Sequence, residues 1–344
     1  MDRDLRIGFV GPNVGRHPGR VTTQGEVLAD HFARSGFVVR ETSAALDPVW
    51  RGVEIGSDLL RWGRQVDVLM VSLYSGRSFL YADLATRLAR LVRRPAVVVL
   101  HGANLPAFGQ RHPRWLSRVL ERAARIVAPS AYFSRWSREL GWDAVEIPNV
   151  LPSTPETERR LTAARPCLLW MRSFDDMYDP VMAVEVVARL AREHPGARLT
   201  MAGQRGALHE EVEARSYQLG VRQHLRLEGF LDPAAKAREL AGHDVFLHTS
   251  KVDNAPVTVL EAMAWGLVVV ANPVGGLPDL LTDGESGLLA SEAGDADAMA
   301  AAVDRALGEE GLAARLSRGA ARATDRNRWS SVEPLWRELL GELA

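Results

Sequence analysis

The side chains best suited to chemistry in this sequence are two carboxylates, an arginine and a histidine. Asp253 and Glu261 stand eight positions apart in "DNAPVTVLEAMAWG". Pro256 suits a first helical turn and Gly266 the position just past a helix end, so they bracket a helix of about nine residues. Its other members are apolar on nearly every face, which predicts a buried helix. An isolated buried charge is costly, so Glu261 needs a partner. Arg172 is one candidate and the hydroxyls of a ligand are another. Asp253 falls in the loop before the helix. Were both carboxylates helical they would lie ~12 Å apart, too far to act on one bond. As loop and helix they can grip opposite ends of a ligand lying over the helix N-terminus. The backbone of Asn254, Ala255, Pro256, Val257 and Thr258 offers N–H groups there for a phosphate.

Other strand-end loops add to this set. Arg172 leaves the apolar run "CLLWM", where a guanidinium could hold a phosphate bidentately. His101 ends "AVVVL" and precedes Gly102, a position read as functional rather than as a satisfied core histidine. After the first strand, Gly19, Arg20, Thr22, Thr23 and Gln24 form a loop before a helix, read as exposing N–H groups and small side chains to an acceptor or a phosphate. The spacing of Gly11, Gly15 and Gly19 is not G-x-G-x-x-G, so no dinucleotide fingerprint supports an oxidoreductase. Gly203 with Arg205, and Gly229 with Phe230 and Leu231, end two further strands and suit a flat base or ribose. The acidic run Asp175, Asp176 and Asp179 reads as a solvated turn before Pro180, and no metal is expected.

The elements that must position these residues alternate. Runs such as "RIGFVG", "DVLMVSLY" and "AVVVLHG" punctuate amphipathic stretches, giving β-α-β units with a parallel sheet covered by helices. The rhythm breaks at 151–166 and restarts at "CLLWM", which predicts an N-terminal doubly wound domain over 1–150, a linker over 151–166 and a second domain over 167–325. Residues 326–344 read as a C-terminal helix packing across, with Trp329, Val332, Trp336, Leu339 and Leu340 forming its apolar stripe. At 344 residues the chain is long enough for two such domains. In open α/β sheets ligands bind beyond the carboxyl ends of the strands, so two facing sheets would put a site between them.

A formal net charge of -1 argues against a nucleic-acid partner. The balance is uneven, with +8 over residues 1–165 and -9 over 166–344. Arg111, Arg114, Arg118, Arg122 and Arg125 predict a basic amphipathic helix, either solvated or resting on anionic lipid. One cysteine, Cys167, reads as core and implies a reducing compartment. Without a signal peptide or an apolar run of membrane length, the expectation is a cytoplasmic protein, in contact with the inner membrane face if lipid is its partner. Arginine outnumbers lysine 40 to 2, which reads as a compositional bias.

Together these residues resemble the retaining glycosyltransferases of family 4, with the GT-B fold of two facing Rossmann-like domains. The glycine loop after strand one, "HG" at 101, "IPNV", the arginine after the first strand of the second domain, D-x7-E, "EAMAWG", "GGLPD" and "DGESGLL" carry the resemblance over nearly the whole chain. It implies transfer of a sugar from a nucleoside-diphosphate sugar to a glycan, lipid or small-molecule acceptor, with retention and without a metal. It implies Glu261 at ribose hydroxyls, Asp253 at the donor sugar, Arg172 at the diphosphate, His101 at a sugar hydroxyl and residues 255–258 around phosphate. The chain departs from the family pattern at Asp253, where glutamate is usual, and at Tyr178, where lysine is usual. Lys251 and Arg205 are the cations that could substitute. The alternatives are an epimerase or hydrolase of the same architecture, or a sugar-nucleotide-binding protein of weak activity.

Overall fold

The computed structural model describes residues 5–155, 159 and 161–343. They divide into two compact units, 1–150 with 327–344 and 151–326.

Unit 1 runs β1 (Arg6–Val10), α1 (Gln24–Arg34), β2 (Val38–Glu41), α2 (Pro48–Trp62), β3 (Val68–Leu73), α3 (Phe79–Val92), β4 (Ala96–Leu100), α4 (Leu105–Arg111), α5 (Pro113–Leu120), β5 (Arg125–Ala128), α6 (Ala131–Glu139) and β6 (Ala144–Glu146). Unit 2 runs β7 (Cys167–Met171), α7 (Pro180–Glu193), β8 (Arg198–Ala202), α8 (His209–Gln218), β9 (Leu225–Glu228), α9 (Pro233–Gly242), β10 (Val245–His248), α10 (Val257–Ala264), β11 (Val268–Ala271), α11 (Leu277–Leu280), β12 (Leu288–Leu289), α12 (Ala296–Gly308) and α13 (Leu312–Ala323). The chain ends in α14 (Trp329–Gly341), which is part of unit 1.

Each unit holds one six-stranded sheet, in the order β2-β1-β3-β4-β5-β6 and β12-β11-β10-β7-β8-β9. Neighbouring strands pair in parallel. The central strands are apolar on both faces because helices cover both, and β4, β10 and β11 are buried at every residue. Local chemistry sets the helix starts: Thr23 and Glu26 form a reciprocal capping box on α1, and Asp47 caps α2 ahead of Pro48. α14 lays Val332, Trp336, Leu339 and Leu340 into the same core as Ile7, Phe9 and Phe32 of β1 and α1. Trp329 stacks on His31 and donates from Nε1 to Oγ of Ser35 at 2.8 Å.

Three expectations change. Residues 151–166, expected as a linker, belong to unit 2: Leu151 and Leu161 are buried, and Arg165 holds the buried Asp244 at 2.8 Å with Arg159 beside it. The basic stretch 111–125 is not one helix. It breaks at His112 between α4 and α5, Arg125 opens β5, and Arg122 turns inward to Asp83 at 2.5 Å. Cys167 opens β7 only half-buried. Among the described residues no helix is long and apolar enough to cross a membrane.

Candidate functional site

The order of the second sheet reverses between β7 and β10. From β7 the chain builds outward through β8 and β9, then returns to add β10 on the other side. Loops leaving the carboxyl ends at such a point diverge and leave room for a ligand. Arg172 follows β7 and Asp253 lies in the loop after β10, and they meet there, Nη2 to Oδ2 at 2.5 Å.

Close backbone contacts hold both residues. The N–H of Arg172 donates to the carbonyl of Ala202 at 3.1 Å, and a Cβ on Gly203 would lie 1.8 Å from the Arg172 carbonyl oxygen. Gly203 in turn donates to the carbonyl of Gly229 at 3.1 Å. On the other side Gly275, at φ +55°, would carry a Cβ 1.8 Å from the carbonyl oxygen of Asp253, and one on Gly276 would be 2.1 Å from that of Asn254. The paired glycines are therefore the shape complement of the Asp253–Asn254 backbone.

Asp253 is buried. Burial alone would raise its carboxyl, but Arg172 and His248 overcome that and bring it down to about 2. Oδ1 accepts the Asn254 N–H at 2.9 Å. His248 is buried at the end of β10, its Nε2 3.3 Å from Oδ2 but off the line of a hydrogen bond. Burial keeps its imidazole below the ordinary range despite the attraction of Asp253. The guanidinium of Arg172 lies 5.2 Å from the ring centre of Tyr178, and its Nε is buried without a partner. Tyr178 thus occupies the position where the resemblance expects a lysine, and burial raises its phenol.

α10 starts beside this pair. Pro256 is its N-cap and supplies no side-chain cap, Val257 is its first residue, and Oγ1 of Thr258 is buried without a partner, as is Oγ of Ser250 in the preceding loop. Glu261, 1% exposed, does not pair with Arg172. Its Oε1 takes Nζ of Lys236 from α9. The reason is geometric: the guanidinium is held by Asp253, while Lys236 reaches α10 from the neighbouring helix.

The remaining expected residues lie apart from this centre. Lys251 is bound to Asp176 at 2.6 Å, and Arg205 faces Glu210 at 3.6 Å on the surface, so each expected substitute cation already has an acidic neighbour. Phe230 is partly exposed and Leu231 packs on the core behind β10 and α10. Asp175 accepts from the Ser173 hydroxyl, Asp176 from Lys251, and Asp179 caps α7, so the acidic run points three ways. Among the described residues no three His, Cys, Asp or Glu gather to hold a metal ion.

In unit 1 the strand order reverses between β1 and β3. There the loop 11–23 is knitted by Glu26, missed in the sequence, which accepts from the Gly15 and Thr23 N–H groups at 2.8 Å each. Arg20 and Thr22 are exposed and Gly19 is open at φ +74°, but Thr23 is the α1 cap and Gln24 is buried, exchanging two 3.1 Å hydrogen bonds with Val150. Those two carry structure rather than offering free groups. His101 is buried after β4, stacked on Tyr74 at 5.2 Å, with Nε2 unpartnered, and burial lowers its imidazole to about 4.

Comparison with known proteins places the second unit's domain in a family. Residues 157–323 match the family described as Glycosyl transferases group 1. The chain carries a group 1 glycosyltransferase domain. Over 221 residues, 62% of the chain and 55% of the relative, it is 32% identical to phosphatidyl-myo-inositol mannosyltransferase of Mycolicibacterium smegmatis. Over 256 residues, 71% of the chain and 66% of the relative, it is 30% identical to the enzyme of that name from Mycobacterium leprae. The chain thus spans between about half and two thirds of these relatives' lengths. The structure of Anabaena HepE in complex with UDP and glucose superposes with a TM-score of 0.76 at 16% identity, covering 98% of this chain and all of that one. The fold of this chain is accordingly GT-B: two parallel six-stranded sheets with flanking helices.

Proposed function

We propose that the protein transfers a hexose, with retention at the anomeric carbon, from a nucleoside-diphosphate sugar to a hydroxyl acceptor, without a metal. The observation that carries this reading is the Arg172–Asp253 pair at the sheet reversal, beside the uncapped start of α10 and the buried Glu261. The donor's diphosphate lies against the unpartnered Nε of Arg172, the first N–H groups of α10 and Oγ1 of Thr258. Ribose hydroxyls donate to Glu261, and Asp253 takes hydroxyls of the sugar. As the glycosidic bond breaks, charge grows on the leaving diphosphate, where fixed dipoles and a guanidinium already point at it and no reorganisation is needed. Holding the acceptor hydroxyl on the face of the sugar that the diphosphate leaves supplies the rest: its oxygen bonds to the anomeric carbon as the carbon–diphosphate bond breaks, and its proton passes to the departing diphosphate. Arg172 does the neutralising that a metal performs elsewhere.

The phosphatidyl-myo-inositol named in both relatives makes a polyol lipid the first acceptor to try, with glycans and small molecules next. A lipid acceptor goes with a cytoplasmic protein whose basic unit 1 touches anionic membrane, and vesicle co-sedimentation tests that contact. His101, with Nε2 free in a buried setting, is the hydrogen-bonding group we assign to a sugar hydroxyl. Tyr178 supports a second reading, a sugar-nucleotide binder of weak activity, because it puts an aromatic ring where a second phosphate cation is expected. Binding without turnover would select that reading.

Calorimetric titration with UDP-, GDP- and ADP-hexoses tests the assignment. One should bind to the wild type, Glu261→Ala should weaken it at least about tenfold, an effect of about 1.4 kcal/mol, and transfer should survive EDTA. Unchanged affinity for every nucleotide in Glu261→Ala, or activity lost to EDTA and restored by Mn²⁺, would refute it.

A further inference from the structure

Two nitrogen donors converge on one oxygen of Asp253. Oδ2 takes Nη2 of Arg172 at 2.5 Å and faces Nε2 of His248 at 3.3 Å, while Oδ1 is anchored by the Asn254 N–H at 2.9 Å. The imidazole is 1% exposed, and neither of its ring nitrogens makes a hydrogen bond. A buried polar ring left unpaired costs free energy and calls for an explanation.

The charges around it supply one. From the segment after β7 come Arg172, Tyr178 and Asp175. From the loop after β10 comes Asp253, while Lys251 of the same loop is engaged apart from it, with Asp176. From the turn after β11 come only the backbones of Gly275 and Gly276. Among the described residues Arg172 is thus the only arginine or lysine bound to Asp253, and its Nε is still unfilled. A diphosphate that engages Arg172 takes part of that charge away from Asp253 and adds negative charge beside it. The carboxylate is then under-compensated in a buried place, and His248 is the group within reach to restore the balance.

We propose that His248 is a positioning residue for Asp253 that gains a proton when a donor's diphosphate engages Arg172, so that donor binding is linked to proton uptake. This rests on the donor reading given above. The proton comes from the buffer and settles between Nε2 of His248 and Oδ2 of Asp253, giving a charge-assisted hydrogen bond beside the ion pair with the guanidinium. It holds the carboxylate by Oδ2 and leaves Oδ1 for a sugar hydroxyl.

Calorimetry of the full chain with sugar nucleotides in two buffers of different ionisation enthalpy measures the proton directly. Sugar nucleotides are diphosphate diesters, so the ligand itself does not titrate near neutrality. The expected result is uptake approaching about one proton per donor near pH 6 and falling toward zero by about pH 8. Asp253→Asn and His248→Phe should each abolish it, and His248→Asn guards against a Phe variant that fails to fold. Donor binding with heats independent of buffer overturns the inference and leaves the donor reading standing. Uptake unchanged in both His248 variants overturns it as well, placing the proton on Asp253 alone. Failure of any sugar nucleotide to bind wild type overturns both.

Discussion

Lys236→Met should unbalance the core of unit 2, because it strands the carboxylate of Glu261. That carboxylate is 1% exposed as a residue, while the Lys236 side chain is 26% exposed, so the pair is closed on one side and open to solvent on the other. Removing one partner of a buried pair costs about 3–5 kcal/mol, because the remaining charge has lost its compensation. The open side of Lys236 lets water approach the vacated position, which puts the expected loss near the lower end, about 3 kcal/mol. For a unit of this size each kcal/mol shifts the melting point by about 2–4 °C, so the transition of unit 2 should fall by roughly 6–12 °C in scanning calorimetry. The companion variant Lys236→Met/Glu261→Leu removes both charges and keeps an apolar side chain on a helix whose other residues from Val259 to Ala264 are buried and apolar. It should recover most of the loss, since replacing a buried pair by apolar groups is often neutral. The non-additivity of the cycle then measures the pair itself. A single variant that melts within about 2 °C of wild type, or a double variant no more stable than the single, would refute this account.

Other perturbations test the loops and unit 1. Burial brings His101 down to about 4, below its ordinary value of 6.5, so the folded chain keeps it neutral while the unfolded chain binds a proton. Its contribution to stability is whole above the unfolded value and is lost as pH falls from about 6.5 through about 4, amounting to about 2 kcal/mol by pH 5. The urea midpoint of wild type should therefore fall relative to that of His101→Leu between pH 7.5 and pH 5, and parallel curves would contradict the burial argument. Gly275→Ala combines a left-handed φ of +55° with a Cβ 1.8 Å from the Asp253 carbonyl oxygen, so it should displace Asp253, cost about 2–5 kcal/mol and abolish donor binding. Gly19→Ala, in open space at φ +74°, should cost only about 1 kcal/mol. Equal effects of the two substitutions would show that the close approach is not what matters. Arg172→Ala should lower turnover by orders of magnitude, as expected when a guanidinium stabilises the departing charge, and a loss of only a few-fold would shift that role to the α10 N-terminus.

The alternation of apolar runs and amphipathic stretches made the two sheets legible, because parallel strands buried on both faces read as continuous hydrophobic runs. The helix around Glu261 was legible for the same reason, and its burial follows from its composition. Pairing was not. That Arg172 binds Asp253 depends on β10 returning to the side of β7 opposite β8, and strand order is not written in local spacing. The break at His112 was likewise hidden, since the arginine spacing from 111 to 125 continues smoothly through a strand start. His248 gave no signal because "VFLHTS" reads as a strand end whether or not the ring faces a carboxylate.

Lys236 shows the limit most sharply, and also what could have been asked. Forty of the chain's 42 cations are arginine, and a composition bias predicts arginine wherever a cation merely faces solvent. The two lysines are then the positions where bias failed to decide, and one of them meets a carboxylate that is only 1% exposed. A guanidinium is a wide planar fork that needs several acceptors, whereas an ammonium is a compact point charge. Between α9 and α10 one carboxylate oxygen is engaged from one direction, which suits the ammonium. Lys236→Arg is the variant that isolates shape from charge. It keeps the cation, so it should spare most of the stability lost in Lys236→Met, while its bulk pushes Glu261 out of place and weakens nucleotide binding several-fold. Full retention of nucleotide affinity in Lys236→Arg would mean that charge alone is required, and that the lysine at this position has no geometric reason.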